Sequence, residues 1–315
     1  MRLLLKGAIE MSTCQKIIID TDCGIDDAIA IMIAVAYKEI EILGITTVSG
    51  NTDIENVNKN VLRLLRFLKK DNIPVFKGAS LPLIQEPVRC KDVHGENGFG
   101  NIELPRTSQK IEKLSAPQGL YELLKKNPGL TIITLGPLTN IAILINLFPE
   151  AKDYIGQIIS MGGAIDKGNV TRFAEFNFFA DPEAIQLVIE SNIPLTIIPW
   201  DPIFQVVFSE EELKNLVPKN NRIGKLFLDL QKFPLAYAEK FFGIRVTSFP
   251  DPITMAYIID EEIAESEIKG NMKIELNKNI LRGASVWVEG ERLKIITKIN
   301  KSRFIDILSK IFEIK

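Results

Sequence analysis

The chain is poor in the residues that would mark it for zinc, for a nucleic acid or for a membrane. One histidine, His94, and three cysteines, Cys14, Cys23 and Cys90, stand among 315 residues, and their spacing matches no zinc framework. Three thiols cannot all pair within one chain, so they read as reduced thiols of a cytoplasmic protein. Lys and Arg number 38 against 40 Asp and Glu, a formal charge of -2, which makes no field that would gather nucleic acid or anionic lipid. No apolar run approaches the roughly 20 residues that a membrane helix needs. Leu3-Leu4-Leu5 is followed by Lys6 and Glu10, which leaves neither the apolar core nor the cleavage site of an export signal. Met11 is a second candidate start, and residues 1–15 are expected to form an irregular extension.

What is present is ordinary for a globular protein: 46% hydrophobic and 25% charged residues, enough for one large α/β domain over 1–315. Apolar runs alternate with helical periodicity. Lys16 to Asp20, Ile40 to Thr47, Val75, Leu130 to Thr134, Tyr154 to Ser160 and Leu195 to Ile198 read as buried strands. Helices are predicted over Asp26 to Tyr37, Asp53 to Leu68, Leu138 to Leu147 and Pro182 to Ser191. Strands separated by helices predict a mostly parallel, Rossmann-like central sheet flanked by helices. Met272 to Lys298 alternates without an intervening helix, so a small antiparallel hairpin is expected beside that sheet. Loops at the carboxyl ends of parallel strands gather at one edge, where ligands bind.

Asp20-Thr21-Asp22-Cys23-Gly24-Ile25-Asp26-Asp27 sets four carboxylates within one such loop. Helix N-terminal amides offset part of the repulsion, and a bound hard cation with oxygen ligands, calcium or magnesium, accounts for the rest. An EF-hand loop starting at Asp20 needs Gly and Glu where Ile25 and Ile31 stand, so that reading fails. An Asp-x-Asp phosphatase of the haloacid dehalogenase type, with Asp20 as nucleophile and Mg²⁺ as metal, is the alternative.

The same stretch resembles the amino-terminal signature of the inosine-uridine-preferring nucleoside hydrolases. Further blocks of that family follow in order: Thr46-Thr47-Val48-Ser49-Gly50-Asn51, His94-Gly95-Glu96-Asn97-Gly98, Leu135-Gly136-Pro137-Leu138-Thr139-Asn140, Met161-Gly162-Gly163-Ala164, Glu175-Phe176-Asn177, Asp181-Pro182-Glu183-Ala184 and Asp251-Pro252. The resemblance implies hydrolysis of the N-glycosidic bond of ribonucleosides by a Ca²⁺-bound water. It implies carboxylates of Asp22, Asp27 and Asp251 and the carbonyl of Leu135 as metal ligands, with Asp22 as general base. Asp26, Asn51, Asn169, Glu175, Asn177 and Asp251 are implied to hold the ribose, whose hydroxyls suit carboxylates and amides. It further implies a homodimer or homotetramer acting on a small nucleoside.

Many relatives place a histidine just before the last metal-binding Asp, as a proton donor to the departing base. Here Phe249-Pro250-Asp251-Pro252 stands instead, and proline donates no proton. His94 matches the family's other histidine near the base and is the remaining candidate. Stacking on aromatics is the other route, from Phe173, Phe176, Phe178 and Phe179, from Trp200, or from Phe233, Tyr237, Phe241 and Phe242, most of which helical spacing assigns to the core. Purine ribonucleosides are therefore the favoured substrates, with uridine or cytidine as the alternative and a non-catalytic nucleoside binder as the remaining one.

Overall fold

The computed structural model describes residues 14–315, so the expected extension lies outside the described residues except for Cys14 and Gln15. Gln15 already belongs to the first strand. The strands are β1 (Gln15–Thr21), β2 (Ile40–Thr47), β3 (Val75–Lys77), β4 (Leu130–Thr134), β5 (Ile155–Met161), β6 (Leu195–Ile198), β7 (Phe208–Ser209), β8 (Val246–Thr247), β9 (Ala264–Ile274) and β10 (Ser285–Ile299). The α-helices are α1 (Ile25–Ala36), α2 (Ile54–Phe67), α3 (Lys91–His94), α4 (Ala116–Lys126), α5 (Thr139–Leu147), α6 (Phe176–Ala180), α7 (Pro182–Glu190), α8 (Trp200–Phe204), α9 (Glu210–Leu216), α10 (Arg222–Phe242), α11 (Pro250–Ile259) and α12 (Lys301–Ser309).

Three consecutive isoleucines in β1 show why the central strands are so apolar. Side chains alternate across a sheet, and here both faces are covered. Ile17 and Ile19 join a core with residues of α1, α2, α10, α11 and α12. Ile18 points the other way, into a core with Leu120 and Leu124 of α4, Ile141 of α5 and Ile185 and Val188 of α7. α2 starts where a polar cap permits it: the Asp53 side chain accepts from the amides of Glu55 and Asn56 at 3.1 and 3.0 Å.

Eight strands form one sheet in the order β3-β2-β1-β4-β5-β6-β10-β9. Every neighbouring pair is parallel except β9 with β10. The predicted hairpin is therefore present, starting earlier than expected at Ala264, and β10 joins it to the main sheet by running parallel to β6. A separate two-stranded antiparallel piece, β7 with β8, escaped sequence reasoning because each strand has only two residues. The chain leaves β1 outward through β2 and β3, then returns to β4 on the opposite side. The carboxyl ends of β1 and β4 therefore flank a topological switch point, where open sheets of this kind bind ligands.

Candidate active site

The β1–α1 loop is shaped by its own carboxylates. Asp27, in the first turn of α1, accepts the amide of Gly24 at 2.7 Å and the Asn51 carboxamide at 3.3 Å on Oδ2, and the Thr21 hydroxyl on Oδ1. Asp22 is fully buried. Its Oδ2 accepts the backbone amide of Asn51 at 2.6 Å, while Oδ1 is buried with no hydrogen-bond partner. The approach is so close that a Cβ on Gly50 would lie 2.0 Å from Asp22 Oδ2. Gly50→Ala should therefore displace the carboxylate, costing about 1–3 kcal/mol of stability and about 100-fold in kcat. Thermal melts and steady-state rates on the purified variant check both, and an unchanged kcat would show that the position of Asp22 does not matter.

Asp251 arrives from far along the chain. Pro250, at the first position of α11, suits a helix start that needs no N–H there, and Asp251 follows in the first turn. Because α11 packs on α1, oxygens of Asp26, Asp27 and Asp251 all come within 4.8 Å of one another. Asp22 lies beside this trio: its charge is among those that, after burial and the charges of Asp26 and Asp27, hold the Asp251 carboxyl well above the usual range. Burial, then Asp27, does the same to Asp22. Asp26 is pushed up to about 6, mainly by burial, and its Oδ1 is a second buried oxygen without a partner. Like charges crowded out of water are held apart from their ionised form unless a cation joins them. The all-oxygen donor set fits a hard divalent ion. Sequence reasoning grouped Asp22, Asp27 and Asp251; the carboxylates whose oxygens converge are Asp26, Asp27 and Asp251, with Asp22 beside them.

Leu135 stands just beyond β4, its amide donating to the Asp20 carbonyl at 2.8 Å. Its own carbonyl accepts Asn177 Nδ2 at 2.8 Å, and a carbonyl oxygen has a second lone pair to offer. Glu175 is the N-cap of α6: its carboxylate takes the amides of Gly163, Asn177 and Phe178 at 2.8, 2.9 and 3.2 Å. Burial nevertheless pushes Glu175 up to about 7. Asn51, Glu175 and Asn177 are all buried. Asn169 is not: it sits on an exposed part of the preceding loop, and its Oδ1 caps α6 by accepting the Phe176 amide at 2.8 Å.

Asp20, the first of the four clustered carboxylates, does not join the others. Its Oδ1 accepts the Thr46 hydroxyl at 2.5 Å and Asn140 Nδ2 at 2.7 Å, so it ties β1 to β2 and to α5. Its Oδ2 is buried without a partner, and burial pushes the carboxyl up to about 6. Thr46, Asn140 and Thr21 are the positioning residues that sequence reasoning left unassigned; all three lie inside or next to the quoted blocks. Arg89 is half-buried: burial holds its guanidinium below the usual arginine value, and the charges of Asp53 and Asp22 act against that.

His94 Nδ1 accepts the backbone amide of Ile25 at 3.1 Å, which assigns the proton of the neutral ring to Nε2. Burial lowers its pKa to about 4. The 3.8 Å approach to Asp26 Oδ1 is therefore no ion pair near neutrality. Among the aromatic candidates, Phe176 and Phe178 are buried core residues. Tyr237 and Phe241 lie 4.6 Å apart on α10, the helix that packs against α3 and so against the segment bearing His94.

Comparison with known proteins agrees with this geometry. Residues 17–306 match the profile of the inosine-uridine preferring nucleoside hydrolases. The pyrimidine-specific ribonucleoside hydrolase RihA of Shewanella oneidensis is 32% identical over 303 residues, 94% of this chain and 95% of that protein. A plant nucleoside hydrolase, the PpNRh1 enzyme, superposes with a TM-score of 0.89 at 28% identity, covering 95% of this chain and 99% of that one. A purine-preferring ribonucleoside hydrolase from Gardnerella vaginalis does so with a TM-score of 0.88 at 28% identity and the same coverage. The phosphatase alternative falls with these matches. The chain belongs to the inosine-uridine preferring nucleoside hydrolase family and is a hydrolase acting on ribonucleosides.

Proposed function

We propose that this enzyme uses Ca²⁺, held by Asp22, Asp27, Asp251 and the Leu135 carbonyl, to hydrolyse ribonucleosides, with purines as the better substrates. The observation that carries the reading is the convergence of Asp26, Asp27 and Asp251 within 4.8 Å beside a buried, half-free Asp22. A bound divalent ion supplies grip on ribose hydroxyls and lowers the pKa of a nearby water. The protein's own groups do the rest. Asp22, fixed through Oδ2 by the Asn51 amide, has Oδ1 left to take the proton of the attacking water. The new bond joins that oxygen to the anomeric carbon as the C–N bond breaks, its electron pair leaving with the base. Asp26, Asn51, Asn169, Glu175, Asn177 and Asp251 hold the sugar hydroxyls, and the surrounding carboxylates favour positive charge on the ring.

Pro250 donates no proton to the base. His94, neutral with its proton on Nε2, is proposed as a contact to the base. A purine can instead be protonated from solvent at N7 while its N9 bond breaks, which supports the purine preference. Similarity to RihA supports the second reading, a pyrimidine enzyme. A panel of inosine, adenosine, guanosine, uridine and cytidine with their 2′-deoxy forms, assayed for released sugar with and without chelator, separates these. Inosine should exceed uridine in kcat/KM by about tenfold, and deoxy forms and chelated samples should lose nearly all turnover. Faster uridine cleavage would favour the pyrimidine reading, and binding without sugar release would favour a non-catalytic binder. The three free cysteines support a cytoplasmic home, and the family likeness supports a homodimer or homotetramer.

A further inference from the structure

We infer that Arg282, on the carboxyl-terminal hairpin, is a positioning residue for the sugar-binding helix α6, acting through Gln85. The inference rests on the assignment of Glu175 and Asn177 to the ribose. α6 is five residues long, too short to hold its own position by helical hydrogen bonding, and it carries both residues at its amino end. Its other end is tied down from outside. Gln85 Nε2 donates to the carbonyls of Phe179 and Ala180 at 2.6 and 2.8 Å, the groups that a helix end leaves unsatisfied.

Gln85 is itself fixed by Arg282, whose Nε donates to Gln85 Oε1 at 2.8 Å. The remaining guanidinium donors leave little freedom. Nη2 reaches both oxygens of Glu183, on α7, at 2.7 and 2.9 Å, and Nη1 donates to the Leu276 carbonyl. Arg282 is buried, so the fork is set by these partners and not by solvent. The next residue, Gly283, has φ +78, and a Cβ there would come 2.7 Å from the Cα of Phe179; the hairpin turn thus rests directly on the α6 backbone. Ser285 continues the seam, its hydroxyl accepting the Ala164 amide at 2.8 Å and donating to the Ala164 carbonyl at 2.6 Å. Gly163, next to Ala164, gives its amide to Glu175. Arg282 touches none of the residues assigned to the sugar or the metal, yet it closes the frame that holds two of them.

The test uses Arg282→Met and Gln85→Met in the full chain, with rates normalised to folded protein. Each should lower kcat/KM by about 30-fold, since misplacement of a binding group by about 1 Å costs up to about 100-fold. Gln85→Met leaves the Arg282–Glu183 pair intact, so a merely stabilising ion pair predicts no loss there. Double-mutant cycles make the second readout. Arg282→Met combined with Asn177→Ala should lose less than the product of the two single losses, whereas Arg282→Met combined with Asn51→Ala should multiply them. Activity within twofold of wild type in Gln85→Met, or losses that multiply with Asn177→Ala, would overturn the inference. A wild-type enzyme that cleaves no ribonucleoside would instead remove the functional reading beneath it.

Discussion

Asp22→Asn is expected to leave a folded protein that still binds nucleoside while kcat falls by about 1,000-fold or more. The substitution is nearly isosteric. The single side-chain oxygen of Asn can go on accepting the Asn51 amide, which Asp22 Oδ2 does now at 2.6 Å. The other position becomes an amide that cannot take a proton, at the place where Asp22 Oδ1 is buried with no partner. At calcium concentrations that saturate the variant, KM should change by no more than a few-fold, because Asp26, Glu175 and Asn177 keep their places. Steady-state kinetics with inosine give kcat and KM, and nucleoside protection in thermal melts reports binding. Near-normal kcat would take the base role away from Asp22.

Removing the metal should change how stability depends on pH. Without a cation, Asp20 and Asp26 are raised from 3.8 to about 6 and Glu175 from 4.5 to about 7, in each case chiefly by burial. Asp22 and Asp251 are raised further. A carboxyl whose folded pKa lies above its unfolded value stabilises fully below the unfolded value and loses that contribution as pH rises through the folded one. For Asp20 alone, a move from 3.8 to about 6 corresponds to about 3 kcal/mol lost on reaching neutrality. His94 acts in the opposite sense: lowered from 6.5 to about 4, it stabilises above pH 6.5 and loses this as pH falls towards 4. Several carboxyls outweigh one imidazole, so the chelated protein should melt at higher temperature at pH 5 than at pH 7.5. Added Ca²⁺ at about 100 times its Kd should restore about 3 kcal/mol at pH 7.5, roughly 5 °C, and much less at pH 5. Chelated protein that grows more stable from pH 5 to pH 7.5 would contradict the crowding of these groups.

Much of the frame was legible because burial on both faces leaves a plain signature. Ile17-Ile18-Ile19 reads as a strand covered on both faces, and the expected bounds of β2, β4 and β6 are the observed ones. The acidic loop was legible because its carboxylates are neighbours in sequence, as in Asp22 to Asp27. The site was less so where a residue's role depends on what folds against it. Asp20 shares the acidic loop, yet its side chain turns to Thr46 and Asn140, partners that lie on other elements. Asn169, expected at the sugar, also caps α6 from an exposed loop, a role that depends on where that helix begins. The Arg282–Gln85 bond joins residues 197 positions apart, and no local periodicity encodes such a pair.

Sugar release by metal-stripped enzyme during a calcium titration is the measurement closest to the heart of this account. Cleavage should be absent at the start and rise to a plateau at one ion per chain, and Asp251→Asn should stay inactive at the same calcium concentrations. Full turnover by the stripped enzyme, or wild-type recovery in Asp251→Asn, would contradict it.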